Sequence, residues 1–191
     1  MSRPLSVLGI AGSLRSGSLN RALLRAAAEV APQGLSIAPW PLDEIPLYNG
    51  DVEAAGAPEP VARFKAAIRA ADALLFVTPE YNHGVPGVMK NMIDWCSRPP
   101  RRAVLERKPV AVIGASPGMT GSARGQSQLR QAFEFTNSYC MPQPEFLLAR
   151  ADMKFDAQGR LADTDSSAFL QRFLEAFADW TRVFVPTRQD P

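Results

Sequence analysis

Nine consecutive residues, Gly12-Ser13-Leu14-Arg15-Ser16-Gly17-Ser18-Leu19-Asn20, hold the first concentration of groups able to bind an anion. They separate an apolar run from a stretch rich in helix formers. A helix start carries unpaired backbone N–H groups and a partial positive charge, so an anion suits it. Ser13, Ser18 and Asn20 add short polar donors, and Arg15 adds charge on a forked set of donors. Gly12 and Gly17 stand at P-loop spacing, but Ser18 occupies the place of the P-loop lysine. Without that lysine the loop is poorly equipped for triphosphate chemistry. The dinucleotide pattern G-x-G-x-x-G is absent as well. The set suits a monophosphate ester held by hydroxyls and amides. The plain alternative is a polar turn with a Ser or Asn helix cap.

A second segment, Thr78-Pro-Glu-Tyr-Asn-His-Gly-Val-Pro-Gly87, reads as a platform for a flat ring. Pro79 and Pro86 stiffen it, while Gly84 and Gly87 let a ligand approach the backbone. Tyr81 can cover an aromatic ring, and Asn82 presents donor and acceptor to a heterocycle edge. The alternative is a rigid proline turn with a solvent-facing tyrosine. His83 is the one histidine and so the one candidate of that type for a catalytic base, but a lone histidine in a surface loop reads more simply as a bystander.

A third segment, Gly114-Ala115-Ser116-Pro117-Gly118, matches the nucleophile elbow of serine hydrolases. Pro117 has no N–H to donate to an oxyanion, and His83 precedes Ser116, so the order Ser…Asp…His cannot be made. The other reading has Ser116 donating to a ring, with Gly118, Met119 and Gly121 allowing close backbone approach.

The remaining composition narrows the classes. The chain has 191 residues and a net charge of +2. That length predicts a single domain over 1–191, and the small charge argues against a broad nucleic-acid footprint. One histidine excludes sites that need two. Cys96 and Cys140 stand far apart without a C-x-x-C pair, which predicts two reduced thiols in a cytoplasmic protein and neither a zinc site nor a disulfide framework. No run approaches the ~20 apolar residues of a membrane span. The N-terminal run reads as a buried strand, not a secretory leader, since it is brief and leads into a Gly/Ser/Arg loop.

These segments need a scaffold. Apolar runs at Leu5–Ala11, Ala73–Thr78 and Val110–Ala115 read as buried strands, with weaker ones at Leu35–Ala38 and Glu145–Leu148. Helical patterns fall at Asn20–Ala31, Val61–Ala71, Val88–Ser97, Ala123–Asn137 and Ala168–Val185. In the last, Phe169, Phe173, Phe177 and Trp180 form a core-facing stripe. Pro39 to Pro60 reads as one long loop. Strand–helix alternation predicts an α/β fold with a five-stranded parallel sheet covered on both faces. Such sheets bind ligands beyond the C-terminal strand ends, so the three segments above are the informative loops.

In combination these loops resemble the NAD(P)H-dependent FMN reductase family of flavodoxin-like fold, and within it the bacterial chromate/quinone reductases and azoreductases. The matching motifs are GSLRSGSLN, IPLYN (Ile45–Asn49), Thr78–Trp95 and GSAR (Gly121–Arg124), and the similarity runs from Leu5 to Trp180. The resemblance implies strand order 2-1-3-4-5 and bound FMN, with NADPH or NADH as co-substrate. It implies phosphate contacts at Ser13, Arg15, Ser18 and Asn20, with Leu19 in the same set. It places Pro79, Glu80, Tyr81 and Asn82 against the isoalloxazine, with Ser116 and Gly118 beside it. It implies a homodimer or homotetramer, with Leu47, Tyr48 and Asn49 approaching the partner's site and GSAR and Glu145 at tetramer contacts. It also implies ping-pong hydride transfer to the flavin and then two electrons to a quinone, azo, chromate or similar acceptor. No side-chain acid or base is required. A basic stretch, Arg98, Arg101, Arg102, Arg107 and Lys108, is a candidate for the extra phosphate of NADPH, against the plainer reading of a solvated loop. The main rival function is a flavodoxin-type electron carrier, which would share fold and FMN but whose acidic surface differs from this charge balance.

Overall fold

The structure is a computed structural model and describes residues 3–185. Six strands form one parallel sheet: β1 (Leu5–Ala11), β2 (Leu35–Trp40), β3 (Ala73–Val77), β4 (Pro109–Ala115), β5 (Tyr139–Cys140) and β6 (Phe146–Leu148). The order is β2-β1-β3-β4-β5, with β6 also on β4. That is the order the resemblance implies, with its fifth position divided. β5 pairs with Pro109 and Val110 at the start of β4, and β6 with Ile113 to Ala115 at its end. The two-residue β5 is too short to carry a periodic signal, so the expected five strands become six.

The three clearest apolar runs are central strands because both of their faces are covered. Alternate residues of β3 enter opposite cores. Ala73, Leu75 and Val77 pack with Leu23 and Leu24 of α1 (Leu19–Glu29) and with Phe173 and Phe177 of the C-terminal helix. Leu74 and Phe76 pack with Phe64 and Ile68 of α3 (Glu59–Ala70), Met89 and Met92 of α4 (Gly87–Cys96), and Leu129 and Phe133 of α5 (Ala123–Phe135). The C-terminal helix α6 (Thr164–Phe184) carries the expected aromatic stripe, with Phe173 and Phe177 fully buried and Phe169 and Trp180 packed at its margin. It begins earlier than the stripe because the Asp163 side chain accepts from the Ser166 N–H, capping the helix.

The expected long loop after Ala38 is corrected. Strand β2 runs on to Trp40 through Pro39, which an edge strand tolerates because one side of it makes no ladder bonds. A short helix α2 (Gly50–Ala55) follows, capped by Asn49. It buries no residue, so it leaves no apolar pattern to read.

Both cysteines are free thiols. Cys96 on α4 is fully buried, and burial pushes its thiol up to about 12 despite nearby Lys65 and Arg69. Burial also raises the Cys140 thiol, against the pull of Arg130. No described helix is long and apolar enough to cross a membrane. Among the described residues no group of three or more His, Cys, Asp or Glu gathers as a metal site.

Candidate active site

Backbone bonds at the C-terminal strand ends set the three loops side by side. The N–H of Gly12 donates to Val77, that of Thr78 to Ile113, and that of Ser116 to Leu148, at 2.9, 2.9 and 3.0 Å. Each loop therefore leaves the sheet anchored to the next strand. Between them lies a cleft of about 440 Å³. It brings together Ser13, Arg15, Ser18, Leu19, Asn20, Pro79, Glu80, Tyr81 and Ser116 from the three loops. Ala115 and Pro117 also line it and were not among the expected residues. Asn82 and Gly118 were expected and do not line it.

Loop one leaves a set of backbone donors open. The backbone N–H groups of residues 13 to 17 meet no acceptor among the described residues, and Arg15 enters no ion pair there. Unmet N–H groups converging on a helix start favour an anion. Ser18 also fills the plainer role of helix cap, its hydroxyl accepting from the Arg21 N–H at 3.3 Å. Asn20 lines the cleft and also has a structural role. Its carboxamide is buried and bridges the end of β4, with Nδ2 donating to the Ala115 carbonyl and Oδ1 accepting from the Ala115 N–H, both at 2.9 Å. Asn20 positions loop one against loop three.

Loop two is a tight two-residue turn. Tyr81 and Gly84 exchange backbone bonds at 3.1 and 2.9 Å, with Asn82 and His83 at φ 49° and 62° between them. Asparagine tolerates that left-handed geometry, so the expected proline-stiffened turn also rests on Asn82. Tyr81 leaves its ring half exposed and donates its hydroxyl to Ser13 at 3.4 Å, linking loop two to loop one. Helix α5 supports this loop from behind. A side chain at Gly125 would stand 3.1 Å from the Pro79 carbonyl, and Gln128 accepts from the Val85 N–H at 2.9 Å.

Glu80 is engaged from the same side. Its carboxylate accepts from the backbone N–H groups of Arg124 and Gly125 at 2.9 and 3.2 Å and pairs with the Arg124 guanidinium at 3.1 Å. Glu80 therefore lines the cleft while its carboxylate caps α5, and Arg124 of the GSAR segment has a partner within its own chain. Burial works against the charge, but the Arg124 guanidinium and the two N–H groups outweigh it and hold the carboxyl below its usual range. A group with a depressed native pKa stabilises above its unfolded value, and the contribution is lost as pH falls through the native one. Glu80→Gln is thus expected to lower the thermal midpoint at neutral pH. The gap should close as pH falls below the ordinary value of 4.5, as the wild-type carboxyl protonates. Thermal unfolding of both proteins from pH 7 to pH 3 checks this; a constant gap would remove the charge from the account.

Loop three does not form a hydrolase site. The Ser116 hydroxyl accepts from the Gly118 N–H at 3.1 Å and is hydrogen-bonded to no imidazole. Gly118 is held further by the Arg150 N–H, which donates to its carbonyl. The basic stretch also separates. Arg98 and Arg101 line a groove of about 700 Å³ between α4 and α5. Arg107 and Lys108 lie at the N-terminal end of β4, the pole of the sheet opposite the three loops, where Lys108 donates to the Ala71 carbonyl at 2.6 Å.

Gln128 is the positioning residue that sequence reading missed, and Arg124 was marked only within GSAR, for tetramer contacts. Their signal was present in helical spacing, since residues four apart share a face.

The family model described as NADPH-dependent FMN reductase matches residues 5–152. An NAD(P)H-dependent FMN reductase of Pseudomonas aeruginosa is 50% identical over 182 residues, 95% of this chain and 98% of the relative. A quinone reductase of Pseudomonas putida is 43% identical over 183 residues, 96% of this chain and 98% of the relative. The solved structure of FerB, a flavoenzyme NAD(P)H:(acceptor) oxidoreductase from Paracoccus denitrificans, superposes with a TM-score of 0.87 at 37% identity, covering 94% of this chain and 98% of that one.

Proposed function

Since the chain belongs to the NADPH-dependent FMN reductase family, as an NAD(P)H-dependent oxidoreductase that uses FMN, we propose that the three-loop cleft is its flavin site and that it works by a ping-pong cycle. The observation that carries this reading is the donor set of loop one: N–H groups of residues 13 to 17 unmet among the described residues, two cleft-lining hydroxyls, and an arginine in no ion pair there. This is the chemistry a phosphate monoester needs, without the lysine that a triphosphate site uses.

When bound, FMN supplies the redox chemistry, accepting a hydride from the nicotinamide and passing two electrons to the second substrate. The chain's own residues bind and orient. Ser13, Arg15 and Ser18 hold the phosphate with the backbone of loop one, and Asn20 keeps that loop in register with β4. Pro79, Glu80 and Tyr81 present the platform for the ring, and α5 fixes it through Glu80 and Gln128. Ser116 closes the opposite wall, while Asn82 and Gly118 act through the turns they shape. No acid or base side chain is assigned.

The acceptor class that the relatives' names support is quinones; azo compounds and chromate are included by the same open chemistry. The working unit is a homo-oligomer, a dimer or a tetramer. The segment Ile45–Asn49 supports this. Its Pro46 carbonyl is fixed by Asn91 Nδ2 and Trp95 Nε1 at 2.9 and 2.8 Å, while Leu47 is left 83% exposed. The same reading takes the chain as one FMN-binding domain over 1–191 that works in the cytoplasm.

The experiment is an anaerobic titration of the FMN-loaded protein with NADPH, then NADH, followed by a quinone. Bleaching of the flavin and its return on adding quinone are expected; binding without bleaching would favour an electron carrier. Arg15→Ala is expected to weaken FMN retention about tenfold at low salt, the size of one lost charge-assisted hydrogen bond. Unchanged affinity would remove Arg15 from the phosphate site.

A further inference from the structure

The groove of about 700 Å³ between α4 and α5 takes no part in the flavin reading. Its floor is apolar, with Ile93 of α4 and Ala132 of α5 packed on the core beneath. Phe135, the last residue of α5, also lines it and is 89% exposed. A ring left in water beside an apolar groove marks a contact surface, because such groups together are what interfaces bury. Leu47, 83% exposed, stands on the other flank of α4. Asn91 and Trp95 hold the Pro46 carbonyl on one face of that helix, while Lys90, Asp94 and Ser97 line the groove on another. The exposed ridge of α4 therefore runs between two apolar knobs. The charges around the groove are matched only in part. Lys90 pairs with Asp94 along α4, and the Arg98 guanidinium leans over the Tyr48 ring. Arg101 and Glu106 both line the groove and enter no ion pair among the described residues.

Both signs thus stand open in one patch. An acidic partner would set Glu106 against a like charge, and a basic partner would do the same to Arg101. A second copy turned about a two-fold axis presents the same patch in reverse, so each open sign meets its opposite. Resting on the homo-oligomer reading above, we propose that the α4–α5 groove is a two-fold interface between copies of this chain, with Phe135 of each copy seated in the groove of the other and Arg101 facing Glu106 across the axis. The ring is the buried anchor, and the charge pairs form the rim that sets the register. Gln128 lines the groove and also accepts from the Val85 N–H of loop two, so the contact lies behind the flavin platform and outside the cleft.

The test is sedimentation equilibrium on the FMN-loaded protein. Wild type is expected to be a dimer or a tetramer. Phe135→Asp is expected to raise the dissociation constant of the groove contact about 30-fold or more, the size of a lost aromatic anchor. A wild-type tetramer should then fall to dimers held by its other contact. Because Phe135 is so exposed in a single copy, the circular dichroism of the variant should match wild type. Arg101→Glu and Glu106→Arg should each weaken assembly, more at low salt than at high. Together, Arg101→Glu/Glu106→Arg should recover most of the loss, since the exchanged pair faces across the axis again. Met153→Asp is the control: Met153 is 77% exposed outside the groove, and its variant should keep the wild-type constant. An unchanged constant in Phe135→Asp, an equal loss in Met153→Asp, or a charge exchange that deepens the loss overturns the proposal. If wild type is a monomer, the homo-oligomer reading itself fails; if wild type assembles and Phe135→Asp assembles equally well, only this inference fails.

Discussion

Asn20→Ala is expected to lose flavin and stability together. The Asn20 carboxamide is 3% exposed and meets both backbone groups of Ala115, at 2.9 Å each. Truncation leaves a buried N–H and a buried carbonyl without partners, at about 1–3 kcal/mol each. The expected total is about 2–6 kcal/mol, a large share of a typical domain's stability. The same bond pair ties loop one to β4, so the cradle and the wall around Ser116 should move apart. Asn20→Asp separates the two effects: it keeps the acceptor for the Ala115 N–H but turns a carboxylate oxygen toward the Ala115 carbonyl. Thermal unfolding of the FMN-free proteins and FMN titration by fluorescence give the two readouts. A fall in midpoint with unchanged FMN affinity would show that the bridge stabilises the fold without positioning the cradle.

Gly114→Ala is expected to be at least as damaging, for a steric reason. A side-chain carbon at Gly114 would stand 1.9 Å from the Ser122 hydroxyl and 2.3 Å from the Thr78 carbonyl. The hydroxyl can turn away, but the carbonyl is backbone at the end of β3 and moves only if β3 and β4 part. Overpacking of a rigid site costs about 1–3 kcal/mol, and a backbone clash belongs at or beyond the upper end. Because Thr78 opens loop two and Gly114 precedes loop three, FMN affinity should fall with the midpoint. Ser122→Ala should fail to rescue it, since the Thr78 clash remains. Gly17→Ala is the control: nothing lies within 4 Å of the added carbon, so its midpoint should stay near wild type. Recovery of stability by Ser122→Ala would place the conflict on the hydroxyl alone.

These residues also mark how far the sequence can be read. Leu5–Ala11, Ala73–Thr78 and Val110–Ala115 announce themselves because a strand covered on both faces is apolar throughout. Their order gave three loops, and small polar residues between an apolar run and a helix marked loop one as a cradle. Helix α2 and strand β5 were illegible because neither is long enough to bury a periodic face. Within the site, residue type alone could not separate a ligand contact from a structural one. A carboxamide serves a phosphate or a strand end equally well, and only the position of Ala115 decides for Asn20. Glu80 is the same case, its partners Arg124 and Gly125 lying 44 and 45 residues away along the chain. Ser116 matched a nucleophile pattern by spacing, and its bond to Gly118 shows the same spacing serving a turn.

The placement of the two thiols bears on the quinone chemistry proposed above. Quinones are electrophiles that arylate thiolates, so a protein working among them is exposed to covalent poisoning by its own substrates. The thiolate is the attacking species, and its population depends on access and pKa. Cys96 is sealed inside the core with its thiol pushed up to about 12, and Cys140 is shifted the same way on the short edge strand. Neither cysteine lines the three-loop cleft. An electrophile held in the three-loop cleft would thus meet neither cysteine, a chemical self-protection that follows from where the core is packed.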